Sequence, residues 1–176
     1  MTERLLLRPP GEEHATAIAR ALRRNAEHLA QLTPRGAPAP WSLVEVAVRV
    51  AAERRDFVRG VTFAFYAFAR EGPPAEVLGK VMLRRATPHD REAELGYWVD
   101  AALEGRGLAH EAVREVVRFA MENAELHLLR AHVLPENARS AALARRVGFR
   151  AASSNPEGDA RETYELAKED WLFRAE

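Results

Sequence analysis

Gly105 and Gly107 stand between a strand-like run ending at Val99 and Asp100 and a helix-like run that starts near Gly107. Two glycines at this spacing free backbone angles that a side chain blocks, so the N–H groups from Arg106 to His110 can turn into one concavity at a helix N-terminus. The chemistry of such a concavity is the holding of phosphate. A strand-to-helix turn also uses glycine simply to turn, so the spacing alone does not decide between the two readings. A dinucleotide fingerprint needs a third glycine early in a strict βα alternation, and a triphosphate loop needs Gly-Lys followed by Ser or Thr. The sequence has neither.

Composition narrows the chemistry further. Lys plus Arg equals 26 and Asp plus Glu equals 26 in 176 residues, so no global basic field draws the chain to nucleic acid or to an acidic membrane. Any anion is gripped locally. The chain has no cysteine, which removes disulfides, thiolate zinc sites and a cysteine nucleophile, and its six histidines lack HExxH-like spacing, so no metal site is expected. The opening MTERLLLRPP has no apolar stretch of signal-peptide length and no segment reaches the roughly 20 apolar residues of a membrane span, so a soluble cytoplasmic protein is expected.

The elements that must position the glycine turn read as follows. Arg4 to Arg8 is a short strand stopped by Pro9 to Gly11, and a helix from Glu12 to about Leu32 presents Ile18, Leu22, Leu29 and Leu32 on one face. Three prolines and a glycine make Thr33 to Trp41 a loop. Ser42 with Glu45 forms a capping box that opens a second helix, whose apolar face is Leu43, Val46, Val50 and Phe57, out to about Gly60. Val61 to Ala69 and Val77 to Leu83 make a hairpin. Glu92 to Val99 is a third strand, with Ala93, Leu95, Tyr97 and Val99 on one face, Glu94 and Trp98 on the other, and Gly96 marking a bulge. A helix from about Gly107 to Asn123, a strand from Leu128 to Leu134, a helix from Asn137 to Val147 ending on Gly148, and a closing strand pair around 149–153 and 162–166 complete the chain. Three consecutive strands exclude a doubly wound fold. The order predicts a single α+β domain over residues 1–176, with a mostly antiparallel sheet and flanking helices.

Glu104 to Ala109 resembles the Q/R-x-x-G-x-G/A acyl-CoA loop of the GNAT N-acetyltransferases. AELGYWVDAALEGRGLAHEAV followed by HVLPENARSAALARRVGF is similar to the RimJ/RimL subgroup, which acetylates protein N-termini and includes small-amine relatives. The likeness runs through nearly the whole chain, from RLLLRP and RNAEHLAQL to a final EDW. It implies a GNAT-like sheet with a splayed central strand pair and acetyl-CoA as acetyl donor. The pyrophosphate would rest on the N–H groups of Arg106, Gly107, Leu108, Ala109 and His110. The pantetheine arm would pair with the backbone near Tyr97, Trp98 and Val99 as an added strand, where a free N–H near Val99 would polarise the thioester carbonyl.

By the same resemblance Asn137 holds pantetheine and Ser140 gives a proton to the leaving thiolate; from the residues alone, Asn137 is a helix N-cap and Ser140 a solvated N3 residue. Glu94, as a base or water-relay carboxylate, and His132, the side chain best poised near neutral pH, are the candidates for deprotonating the amine. Each also reads as an ordinary sheet-face residue. Asn25, His28, Gln31 and Trp41 are expected on the acceptor side, with Glu157 and Asp159 in a nearby loop. Arg139, Arg145 and Arg146 either meet the 3′-phosphate of CoA or are merely solvated. Two positions depart from the family pattern: Glu104 replaces Gln or Arg, and Ala144 stands where many GNAT enzymes carry a tyrosine acid, as is usual for the subgroup.

The implied activity is direct attack of a primary amine on acetyl-CoA, with a protein N-terminal α-amine as acceptor, no nucleic acid or membrane partner, and homodimerisation left open. A small-amine or antibiotic acetyltransferase and a non-catalytic CoA-binding module are the alternatives.

Overall fold

The computed structural model describes residues 2–32, 41–71, 76–85, 87, 89–152 and 160–173. Strand β1 (Leu5–Arg8) leads through a 3-10 turn (Glu12–His14) into α1 (Ala15–Arg24), α2 (Ala26–Leu32) and α3 (Leu43–Val58). Strands β2 (Thr62–Ala69), β3 (Val77–Arg84) and β4 (Glu92–Val99) follow, then a second 3-10 turn (Ala101–Leu103) and α4 (Leu108–Glu122). The chain closes with β5 (Leu128–Val133), α5 (Ala138–Val147), β6 (Arg150–Ala151), β7 (Glu162–Ala167) and α6 (Lys168–Leu172). The seven strands form one sheet in the order β1-β2-β3-β4-β5-β7-β6. Every pairing is antiparallel except β4 with β5, so the expected α+β, mostly antiparallel architecture is observed.

The sheet has a core on each face. One packs Val81, Leu83, Ala93 and Leu95 against Val113, Val116, Val117 and Ala120 of α4 and Ala141, Ala144 and Val147 of α5. The other packs Tyr66, Phe68 and Val77 against Ile18 and Leu22 of α1 and Val46 and Val50 of α3. The period of two in β4 fits this division: Ala93 and Leu95 are buried on the α4 side, while Trp98 packs on the α1–α3 side.

Three local expectations are corrected. The expected helix from Glu12 to Leu32 is a 3-10 turn and two α-helices broken at Asn25, whose φ of −106° and ψ of 16° leave the helical region. No register shift occurs at Gly96; the irregularity lies in β2, between Ala67 and Phe68. Leu43 is 47% exposed and leaves the apolar face of α3 to Val46 and Val50. The capping box at Ser42 is present, with Glu45 N–H donating to the Ser42 hydroxyl at 3.2 Å and Ser42 N–H to the Glu45 carboxylate at 2.8 Å. At Gly79 the strands leave no room for a side chain: a Cβ there would lie 2.5 Å from the Trp98 carbonyl oxygen, so β3 and β4 could not pack as they do around one.

Candidate active site

The joint between β4 and β5 comprises three residue pairs, Glu92 with Leu128, Ala93 with Leu129 and Glu94 with Arg130. Beyond Glu94 the strands part: β4 continues to Val99 along β3, and β5 to Val133 along β7. Asp100 N–H donates to the Leu78 carbonyl at 2.8 Å, so the backbone groups of Trp98, Gly96 and Glu94 point toward β3. By alternation those of Tyr97 and Val99 point into the gap. A strand edge inside a sheet is therefore left open to an extended, amide-bearing guest.

At the head of the gap, Gly107 is the N-cap of α4 with φ of +78°, and no side chain caps the helix. The first N–H groups of a helix lack partners within it, so those of Leu108, Ala109 and His110 are available to an anion. A Cβ on Gly105, at φ +75°, would meet nothing within 4 Å, and one on Gly107 would meet only an Arg4 guanidinium nitrogen, at 3.5 Å. The glycines thus keep space over the loop clear as well as supplying the left-handed backbone. Arg4 fixes the loop from below. Its Nε and backbone N–H donate to the Glu111 carboxylate at 2.6 and 2.7 Å, and its Nη1 to the Arg106 carbonyl at 3.0 Å. Strong hydrogen bonds from Thr2 and Arg4 more than offset the burial of Glu111 and hold its carboxyl below the ordinary range.

Two hydroxyls, one from α5 and one from β4, meet at the gap. Asn137 is the N-cap of α5, its Oδ1 accepting the Ser140 N–H at 3.0 Å. The Tyr97 hydroxyl reaches across from β4 and donates to Ser140 Oγ at 2.9 Å. Burial raises the Tyr97 phenol above its ordinary value, the Ser140 bond opposes this and the Glu104 charge adds to it, so Tyr97 stays protonated and serves as a donor. Because Tyr97 donates to Ser140, the serine's own hydrogen is left to donate elsewhere.

Glu104, the departure from the family loop, pairs with Arg139 of α5 and lies 3.5 Å from His28 Nε2 of α2. It joins elements on either side of the loop. Arg145 donates to the Tyr164 hydroxyl at 2.7 Å, whereas Arg146 lies with Arg114 beside His110. Burial lowers the His110 value first, and the two guanidinium charges add to that shift.

On the opposite sheet face, Glu94 is ion-paired with Arg84 at 2.6 Å and with Arg161 at 4.0 Å, at the last paired position before the gap. His132 shares that face, its Nδ1 3.1 Å from Thr163 Oγ1. Trp98 and Trp41 pack there against the second core, with Arg49 over the Trp41 ring at 4.9 Å. Beside them lies a charged cluster that sequence reasoning missed. Glu53 accepts from Lys80 at 2.5 Å, from Arg49 at 3.0 Å and from the Tyr66 hydroxyl at 2.8 Å. Burial would raise the Glu53 carboxyl, but Lys80, Tyr66 and Arg49 outweigh it and hold it low; Lys80 is itself lowered, because burial costs its ammonium more than Glu53 restores.

The acceptor-side expectations divide. His28 is half-buried against Glu104, Gln31 is exposed on α2, and Trp41 is half-buried. Asn25 is corrected: it is 2% exposed, with both amide hydrogens donated to Ala21 and Asp100 and its oxygen accepting Ala101 N–H, so no polar group is left for an acceptor. Glu157, Asp159 and the proline loop over 33–40 lie outside the described residues. Among the described residues, no cluster of three or more His, Cys, Asp or Glu fit to hold a metal occurs, and no helix is long and apolar enough to cross a membrane. No periodic pattern could have foretold the Tyr97–Ser140, Arg4–Glu111 or Glu53–Lys80 pairs, which join residues far apart in the chain.

A parted central strand pair beside an uncapped glycine turn is the architecture of acetyltransferases of the GNAT type. The chain belongs to that family: the acetyltransferase (GNAT) domain matches residues 4–150. Among curated proteins, the ribosomal-protein-serine acetyltransferase of Escherichia coli (strain K12) is 28% identical over 91 residues, which are 52% of this chain and 49% of that protein. The chain spans about half or less of the length of the curated relatives it matches. Among solved structures, the ribosomal-protein-S5-alanine acetyltransferase from Vibrio fischeri superposes with a TM-score of 0.86 at 20% identity, covering 97% of both chains. Mycobacterium smegmatis RimJ, solved with CoA-disulfide, superposes with a TM-score of 0.76 at 23% identity over 97% of this chain and 88% of that one. The resemblance to the RimJ/RimL subgroup is supported by these relatives, and acetyl-CoA is the acetyl donor of the family.

Proposed function

We propose that the protein transfers the acetyl group of acetyl-CoA to a primary amine by direct attack, and that the acceptor is a protein N-terminal α-amine met in the cytoplasm. The observation that carries this reading is the conjunction, at one gap, of an open strand edge at Tyr97 and Val99, the uncapped α4 N-terminus and the Tyr97–Ser140 hydrogen bond. The N–H groups of Arg106 to His110 would take the pyrophosphate. The backbone of Tyr97 and Val99 would pair with the pantetheine amides, while Asn137 caps α5 and contacts the same arm. The N–H at Val99 would draw charge onto the thioester oxygen as the amine nitrogen bonds to the carbonyl carbon. The carbon–sulfur bond then breaks and Ser140, held by the Tyr97 hydroxyl, protonates the departing thiolate, while the proton that the amine loses passes to the base and is returned through solvent to Ser140.

An α-amine, with a reference pKa near 8, is partly neutral at pH 7, whereas lysine near 10.4 is not. A weak base is therefore enough, and Glu94 and His132 share the sheet face from which an acceptor would approach. Arg84 and Arg161 engage the Glu94 carboxylate as ion-pair partners, which favours His132 as the base.

Thiol release from acetyl-CoA, followed against a panel of N-terminal peptides and small amines, tests the reading. Turnover is expected with α-amine peptides, and Ser140→Ala should lower it by roughly 10- to 1000-fold with acetyl-CoA affinity nearly intact. No release with any acceptor would overturn the catalytic reading, and preference for a small amine would reassign the acceptor.

A further inference from the structure

Asn25 sits where α1 gives way to α2, and its polar atoms all face inward. Its Nδ2 donates to the Ala21 carbonyl at 2.9 Å and to Asp100 Oδ2 at 3.0 Å, its Oδ1 accepts Ala101 N–H at 2.9 Å, and its own carbonyl accepts Leu29 N–H at 2.8 Å. Asp100 completes the network from the end of β4. Its Oδ1 accepts Ala102 N–H at 3.0 Å, its Oδ2 meets Arg24 at 2.6 Å, and its backbone N–H is tied to β3 at Leu78. Arg24 in turn donates to the Val77 carbonyl at 3.3 Å. Asn25 and Asp100 are 2% and 3% exposed, and burial is outweighed by the bonds from Asn25, Arg24 and Ala102, which hold the Asp100 carboxyl below its ordinary range.

The network ties the α1–α2 break, through Ala21, Arg24 and Leu29, to the turn Ala101–Leu103 and the strand ends beneath it, and that turn is the root of the loop leading to Gly107. One helical turn further along α2, His28 meets Glu104 of the same loop. We infer that Asn25 and Asp100 are positioning residues for the cofactor loop, setting its root against the α1–α2 break so that the helices on the acceptor side and the phosphate-holding backbone keep one relative placement. The inference rests on the reading that this loop holds acetyl-CoA. A buried side chain that gives two N–H bonds and takes one is replaced by no apolar residue without leaving Asp100 and Ala101 short of partners. Loss of Asn25 therefore frees the loop root while the two hydrophobic cores remain as they are.

The test is acetyl-CoA binding by titration calorimetry on the intact wild-type chain and on Asn25→Ala, with circular dichroism to establish that both are folded at the assay temperature. The expected result is a roughly tenfold weaker Kd and a KM for acetyl-CoA raised in step, with kcat changed less than threefold. Exchanging the pair, Asn25→Asp with Asp100→Asn, keeps one carboxylate and one amide in contact and should recover part of that loss, whereas Asn25→Asp alone sets two carboxylates together and should not. If Asn25→Ala is unfolded, Arg24→Gln removes only the half-exposed outer partner and should weaken binding about threefold. A folded variant with wild-type Kd overturns the inference and leaves Asn25 a helix-break residue only. Failure of the wild-type chain to bind acetyl-CoA would instead overturn the reading of the loop itself.

Discussion

On the cofactor side of the gap, what the protein offers a ligand is mostly backbone: N–H groups at the start of α4 and along β4, bared by Gly105 and Gly107. The opposite sheet face, from which the proposed acceptor would approach, is built from side chains, with Trp41, Trp98, Arg49, Lys80 and Glu53 drawn from three separate segments and gathered only by the packing of α3 on the sheet. The difference has a physical origin. Phosphates and amides are the same in every molecule of the cofactor, so a fixed backbone geometry can serve them, whereas an acceptor surface must be adjustable by substitution.

Gly107→Val is the sharpest way to break the cofactor side alone. For the wild-type chain at ~100-fold excess of acetyl-CoA over its Kd, the gain in stability is about 2.7 kcal/mol, visible as a rise in Tm. The variant should show no rise, because a β-branched residue is strained at φ +78° and would fill space that the loop keeps open. A normal shift would show that the loop is not the anion site.

Glu53→Gln breaks the other side. Removing one partner of a buried ion pair costs roughly 3–5 kcal/mol, which in a chain of this size lowers Tm by roughly 6–20 °C. The Lys80 ammonium would then lack its charge partner. At a temperature where the variant is folded, acetyl-CoA affinity should be unchanged within about twofold while the KM for the acceptor rises. Weakened acetyl-CoA binding would show that the two sides are less separate than their construction suggests.

The smallest effect is expected where the two sides touch. Glu104 adds a negative charge near the loop proposed to hold phosphate, but its ion pair with Arg139 offsets part of that charge. Glu104→Gln should tighten acetyl-CoA by roughly two- to threefold at low salt, with the gain fading near ~0.5 M salt, where the screening length is roughly 4 Å. Weaker binding by the glutamine variant in calorimetry at low salt would mean that the bridge orders the loop more than its charge repels the ligand.

The same contrast explains what could be read in the sequence. Local features were legible because their causes are local: the capping box at Ser42, the period of two in β4, the glycine turn before α4 and the N-cap at Asn137 each depend on residues a few positions apart. The parting of β4 from β5 came from the family resemblance, and the three-pair joint agrees with it. The break at Asn25 escaped because its cause, the carboxylate of Asp100, lies 75 residues away. Glu53, Lys80 and Tyr66 likewise carry no local pattern that joins them, and only the fold places them within hydrogen-bonding distance.

The open edge of β4 also bears on how this protein can change over generations. The groups that Tyr97 and Val99 turn into the gap belong to the main chain, and any L-residue other than proline supplies the same pair. No ordinary single substitution erases them. Under the proposed binding mode, selection at these two positions is released from the cofactor and left to act on the side chains, so that Tyr97 can be kept for its bond to Ser140 and Val99 for its fit, while the backbone groups that would meet the cofactor are inherited through the strand itself.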